Sequence, residues 1–145
     1  IGLNVINSYS LKALKDFWCV SLSPEIKEKE LFEGETKTAL FAYGKLPLML
    51  TKNCPLKNGV GCKNCSHKLT DRKNKSFYVT CKKGYSEILN GNTTHIASLP
   101  FSDYIILSFY NETESEILDI INQYKTGNFK ITERHTKALY KNGVQ

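Results

Sequence analysis

The sequence predicts an α/β chain of parallel βα units, interrupted by a cysteine-rich loop and a small β excursion. Three observations carry that reading. Apolar, β-compatible runs begin about every 16–19 residues over the first 43 positions. Helix-start signals fall between those runs, as a crossover between parallel strands requires. After residue 50 the rhythm then breaks into a segment holding four of the five cysteines.

The first apolar run, residues 3–6, is followed by Asn7-Ser8 as candidate caps and by Leu11, Ala13, Leu14 and Phe17 at roughly helical spacing. Residues 18–22 form the next strand candidate. Ser23-Pro24 then offers an N-cap with proline at the first helical position, and Glu25 and Glu28 place acid in the first turn. After Gly34, residues 38–43 make a third strand, which residues 46–50 continue past Gly44 and Pro47. Phe77 to Val79 and Ile88-Leu89 are short strand candidates separated by Lys82-Lys83-Gly84, a plausible turn, and they make the β excursion. Residues 105–109 are apolar enough to be covered on both faces. Thr113 and Glu116 form a capping-box pattern ahead of Ile117, Ile120, Ile121 and Tyr124, the clearest amphipathic helix of the chain. Beyond Gly127 the periodicity is weak.

With 145 residues and 41% hydrophobic content the chain can bury one core, and we expect a single ordered unit over residues 1–145 with a Cys-rich insertion at about 51–83. No apolar run approaches the roughly 20 residues that span a bilayer, and no charged segment leads into a hydrophobic signal core. The first residue is Ile1, so the segment reads as a processed product or as a cut from a longer protein. An odd cysteine count without a secretion signal points to reduced thiols in the cytoplasm. Cys19, inside an apolar run, reads as an inert core residue. Charge is uneven: residues 45–83 carry ten Lys/Arg against Asp71 alone, although the whole chain is only +6. That excess could neutralise thiolates, attract phosphate, or solvate a long loop.

The chemistry-bearing stretch runs from Cys54 to Cys81 with the spacing C-x7-C-x2-C-x15-C. A Cys-x2-Cys pair presents two thiolates to one ion, and Cys54 and Cys81 complete a four-thiolate shell, so Cys54, Cys62, Cys65 and Cys81 are the candidate ligands of an iron–sulfur cluster or of zinc. Spacing alone does not separate the two. His67, two residues past Cys65, is a possible substitute ligand, with a solvated loop histidine as the plainer reading; His95 and His135 read as surface or packing residues. Neither an H-E-x-x-H helix nor a G-x-S-x-G elbow is present, so no peptidase nucleophile or metal-bound water is assigned. Glu25 and Asp71-Arg72 could face a substrate pocket, against ordinary roles as a first-turn carboxylate and a turn ion pair. Phe77, Tyr78 and Tyr85 near the basic loop are too few to establish base stacking.

Several runs resemble peptidase family U32, the collagenase-like protease family. They are Leu3-Asn4-Val5-Ile6-Asn7-Ser8, Leu22-Ser23-Pro24-Glu25, Tyr43-Gly44-Lys45-Leu46-Pro47-Leu48-Met49, Leu69-Thr70-Asp71-Arg72-Lys73, Glu87-Ile88-Leu89-Asn90 and Ala138-Leu139-Tyr140-Lys141-Asn142-Gly143-Val144. The similarity covers nearly the whole chain, and its most specific piece is the Gly-Lys-Leu-Pro-Leu run ahead of Cys54. The resemblance implies part of a TIM-like barrel, its C-terminal half, with the other half N-terminal to Ile1. It also implies a 4Fe-4S cluster on Cys54, Cys62 and Cys65 in the intact protein, with Cys81 or a cysteine from a distant part of the chain as fourth ligand; zinc and thiols that bind nothing are the alternatives. The family name implies a peptidase, and relatives take part in hydroxylating RNA bases or quinone precursors, so RNA or peptide is the implied substrate. A half-barrel on its own would lack full activity and would self-associate through its open edges. The contrasting expectation is a structural zinc-binding or interaction module without catalysis of its own.

Overall fold

The computed structural model describes residues 4–26, 36–57, 62–97, 102–130 and 135–136. Among these the chain is mostly β-sheet, with nine strands in two sheets and two helices, and it divides into two compact units. The expectation of parallel βα units forming part of a TIM-like barrel is therefore overturned. The expected helix after Ser23-Pro24 closes in its described part as a turn, with Ile26 N–H donating to Ser23 O at 3.2 Å. Helix α1 (Ser8–Ala13) is only six residues long, and Phe17, expected on its apolar face, is 60% exposed. Residues 46–50 do not prolong the preceding strand but enter a separate antiparallel sheet. Glu28, Gly34 and the closing run 138–144 lie outside the described residues.

The first unit comprises Ile1–Gly44 and Thr94–Gln145. Its strands are β1 (Cys19–Ser21), β2 (Lys37–Gly44), β7 (Thr93–His95), β8 (Tyr104–Ser108) and β9 (His135–Thr136). Strand β2 is central: β1 and β8 run parallel to it, β7 pairs antiparallel at its end, and Val5 bridges Leu22 in parallel. Every β2 residue from Thr38 to Gly44 is buried, as expected of a continuous apolar strand covered on both faces. Val5, Leu11, Val20, Leu22, Ile26, Leu40 and Ile96 form the core around it. Asn7 caps α1 through its side-chain oxygen, which accepts from Ser10 N–H at 2.9 Å.

Helix α2 (Glu114–Thr126) begins with the predicted capping box between Thr113 and Glu116 and ends at Gly127. Its Tyr124 hydroxyl donates to Ala42 O at 2.9 Å and lies 3.1 Å from Ile96 O, which ties the helix to β2. Tyr43 is 6% exposed, and its hydroxyl donates to Glu112 Oε1 at 3.2 Å. Burial first, and then the Glu112 carboxylate, push the Tyr43 phenol up to about 12, while burial also raises Tyr124. A phenol raised by folding stabilises the fold fully below its unfolded value of about 10 and ceases to do so as pH rises through the folded value. Stability measured by denaturant titration should thus fall between about pH 10 and 12, and Tyr43→Phe should make that fall shallower. An alkaline limb unaltered by the substitution would count against this assignment.

The second unit, Lys45–Thr93, is a four-stranded antiparallel sheet. It consists of β3 (Pro47–Thr51), a single 3-10 turn (Cys62–Asn64), β4 (Lys68–Thr70), β5 (Ser76–Lys82) and β6 (Tyr85–Leu89), in the order β3-β6-β5-β4. Short turns make this topology, because strands joined by a few residues can only return antiparallel. Between β4 and β5, Asp71 Oδ1 accepts from the N–H groups of Lys73 and Lys75, each at 2.8 Å, so Asp71 serves the hairpin turn. The β5–β6 turn is Lys83-Gly84, with Gly84 at φ 87. Val79 is fully buried beneath the sheet, and Lys45 is 9% exposed. The Lys45 ammonium donates to Gly91 O at 3.0 Å and sits 4.5 Å from the Tyr78 ring centroid, a pairing that offsets the cost of burying the charge.

Candidate thiol site

Three of the four candidate cysteines interact: Cys54 and Cys65 both act on Cys81. In the β4–β5 hairpin Lys68 lies opposite Tyr78, and the bond from Val79 N–H to His67 O at 2.8 Å continues that ladder outward. The ladder stops there, because His67 turns the chain at φ 54 and Cys65 lies outside β4. On the other side of β5, Cys81 pairs with Ser86 of β6, which pairs in turn with Thr51 at the end of β3. Cys54 follows three residues after Thr51. Cys54 and Cys65, both outside the strands, act on the Cys81 thiol at the end of β5.

The electrostatics agree with that placement. Desolvation is the largest cause that raises the Cys81 thiol, followed by the charge of Cys54. A hydrogen bond that the Cys81 thiol donates to Cys54 and the charge of Cys65 push in the same direction, while a hydrogen bond with Ser86 opposes them. Thiols are the donor type that zinc and iron–sulfur clusters take. His67 N–H lies 3.4 Å from Cys65 Sγ, with His67 in the left-handed region at φ 54. All five cysteines are free thiols.

Cys62 sits in the exposed 3-10 turn and is not among the groups acting on Cys81. Among the described residues, no three His, Cys, Asp or Glu side chains converge as a closed metal-ligand group. The His67 ring is 3.3 Å from Val79 O through Nδ1, an ordinary hairpin contact. Sequence reasoning missed Ser86, which is 3% exposed and touches Cys81. The two-residue turn at Lys83-Gly84 was the signal that could have placed it opposite.

The other candidates have plainer places. Glu25 is exposed on the Ser23 turn, its N–H 3.3 Å from Ser23 Oγ. His95, 1% exposed, packs among Tyr43, Tyr124 and Phe129 with ring centroids 5.4, 5.6 and 5.8 Å away. Cys19 is half-buried, and its thiol is raised by burial first and by Asp103 second. Only the backbone of His135 is described, in β9. Of the ten basic residues between 45 and 83, Lys45 is buried and the other nine are exposed. No helix among the described residues is long and apolar enough to cross a membrane. Comparison of the chain with protein-family models, with curated proteins and with solved structures finds no match.

Proposed function

We propose that the second unit is a cofactor module in which Cys54, Cys62, Cys65 and Cys81 hold an iron–sulfur cluster, serving a cytoplasmic enzyme that oxidises an RNA base or a small molecule. The observation that supports this reading is that Cys54 and Cys65 lie near enough to Cys81 to raise its thiol, behind the effect of burial. When bound, such a cluster supplies electron transfer, at a potential set by hydrogen bonds to sulfur and by solvent exposure. The chain's own contribution is to hold the thiols on a sheet, to donate the His67 N–H toward Cys65, and to set Ser86 against Cys81. Cys62 would join the group by a shift of its exposed turn. The nine exposed Lys/Arg around the module favour a polyanionic substrate over a neutral one. The peptidase expectation rests on the family resemblance, and no residue is assigned to it.

The test is metal and sulfide analysis of the chain purified without oxygen, together with its visible spectrum. Iron and acid-labile sulfide with a broad visible absorption band are expected, and Cys81→Ser and Cys62→Ser should each remove most of both. Zinc without that band would overturn the cluster and leave a structural metal module. Iron unchanged in both variants would overturn the ligand set.

A further inference from the structure

Strand β3 carries an arrangement that neither the thiol site nor the fold uses. In a half-buried strand successive side chains alternate between core and solvent. Here Leu48, Met49 and Leu50 are 53, 58 and 67% exposed in succession, so both faces of the strand are bare. Among the described residues β3 pairs only with β6 and stands at the end of its sheet. Its outer amides and carbonyls thus form an open template. Edge strands are usually blunted by charge, proline or a bulge; β3 carries no charge, and its proline and register shift fall at Pro47 to Met49, which leaves Met49 to Thr51 as the open part of the edge. At the strand's end lies a shallow groove of about 430 Å³ lined by Leu50, Thr51, Lys52, Gly84, Tyr85 and Glu87.

We propose that β3 docks an extended segment of a partner protein, added as a fifth strand, with apolar side chains at alternate positions and acidic residues at its flanks. Main-chain pairing supplies the register, and the groove beside Tyr85 takes one side chain. Charge selects the partner. The unit carries ten Lys/Arg against Asp71 and Glu87, and the register places the Lys82-Lys83 turn near Lys52 at the same end as the groove. Glu87 is the one acid in the groove lining, and its Oε2 accepts from Thr80 Oγ1 at 3.2 Å. A second copy of this unit would bring like charge against like, whereas an acid-flanked strand meets the basic end with opposite sign. The inference is independent of any bound metal.

Three synthetic peptides test it on the full chain by calorimetric titration: alternating Val and Thr with paired Glu at both ends, the same core flanked by Lys, and the Glu peptide N-methylated at every core amide. The Glu-flanked peptide is expected to bind at least about tenfold tighter than the Lys-flanked one, with affinity falling as salt is raised. The N-methylated peptide should not bind, because neither edge of its backbone can donate. Leu50→Ser, on an exposed position that leaves the thermal midpoint in place, should weaken the Glu-flanked peptide by a similar factor through lost apolar contact. Equal binding of the two flank charges, or undiminished binding of the N-methylated peptide, would overturn the proposal. So would sedimentation showing a dimer of the chain that Leu50→Ser dissolves, since that assigns the edge to a second copy.

Discussion

Gly44→Ala is expected to destabilise the first unit by about 2–6 kcal/mol, from two costs that act at one atom. The first is conformational. Gly44 ends β2 at φ 127, a region in which an L side chain is strained by about 1–3 kcal/mol. The second is steric: a Cβ at this position would run into the backbone carbonyl oxygen of Ser108, the residue paired with Gly44 across the parallel β2–β8 ladder. Overpacking against a side chain costs about 1–3 kcal/mol, and a carbonyl held in a ladder yields less readily than a rotamer. Gly84→Ala is the internal control. That residue also has positive φ, at 87, but no heavy atom lies within 4 Å of its added Cβ, so strain alone applies and about 1–2 kcal/mol is expected. Denaturant midpoints of the two variants that fell equally would show that the Ser108 contact is not the cause.

Gly44 also explains why residues 46–50 were misread. On sequence they look like more of the preceding strand, because apolar residues continue on both sides of the glycine. The backbone at φ 127 turns the chain, and Pro47 lacks the N–H that a central strand needs, so the run leaves β2 and becomes the edge of another sheet. Its partner β6 begins more than 30 residues later, beyond the reach of local pattern. The helix signal at Ser23-Pro24 failed for a related reason. Ser23 Oγ accepts from Glu25 N–H as a cap would, but it also donates to Asn4 Oδ1 at 2.7 Å, so the described part of the motif closes a turn against the Val5 segment.

Signals that need only neighbours in sequence were legible. The Thr113–Glu116 capping box, the α2 stripe and the turn between β5 and β6 all stand where the residues indicate. Cysteine spacing identified the candidate thiols but could not order them around Cys81. The β5–β6 register, closed by Lys83-Gly84, sets Ser86 opposite Cys81, while Asp71 closes the β4–β5 turn.

Phe41→Ala should cost about 3–5 kcal/mol, the range for removing a fully buried aromatic ring. Phe41 is 1% exposed at the middle of β2, in register with Ile106 of β8, and it is the largest of the fully buried side chains. Total stability of a domain is about 5–15 kcal/mol, so this single deletion removes a large fraction of it. Phe41→Leu keeps most of the buried volume and should lose appreciably less. Met49→Ala deletes a comparable side chain from β3, but Met49 is 58% exposed, and a change within about 0.5 kcal/mol is expected of a surface position. The measurement is the urea midpoint at fixed m-value. A Phe41→Ala loss no larger than that of Met49→Ala would mean that β2 is not the centre of the first unit's core.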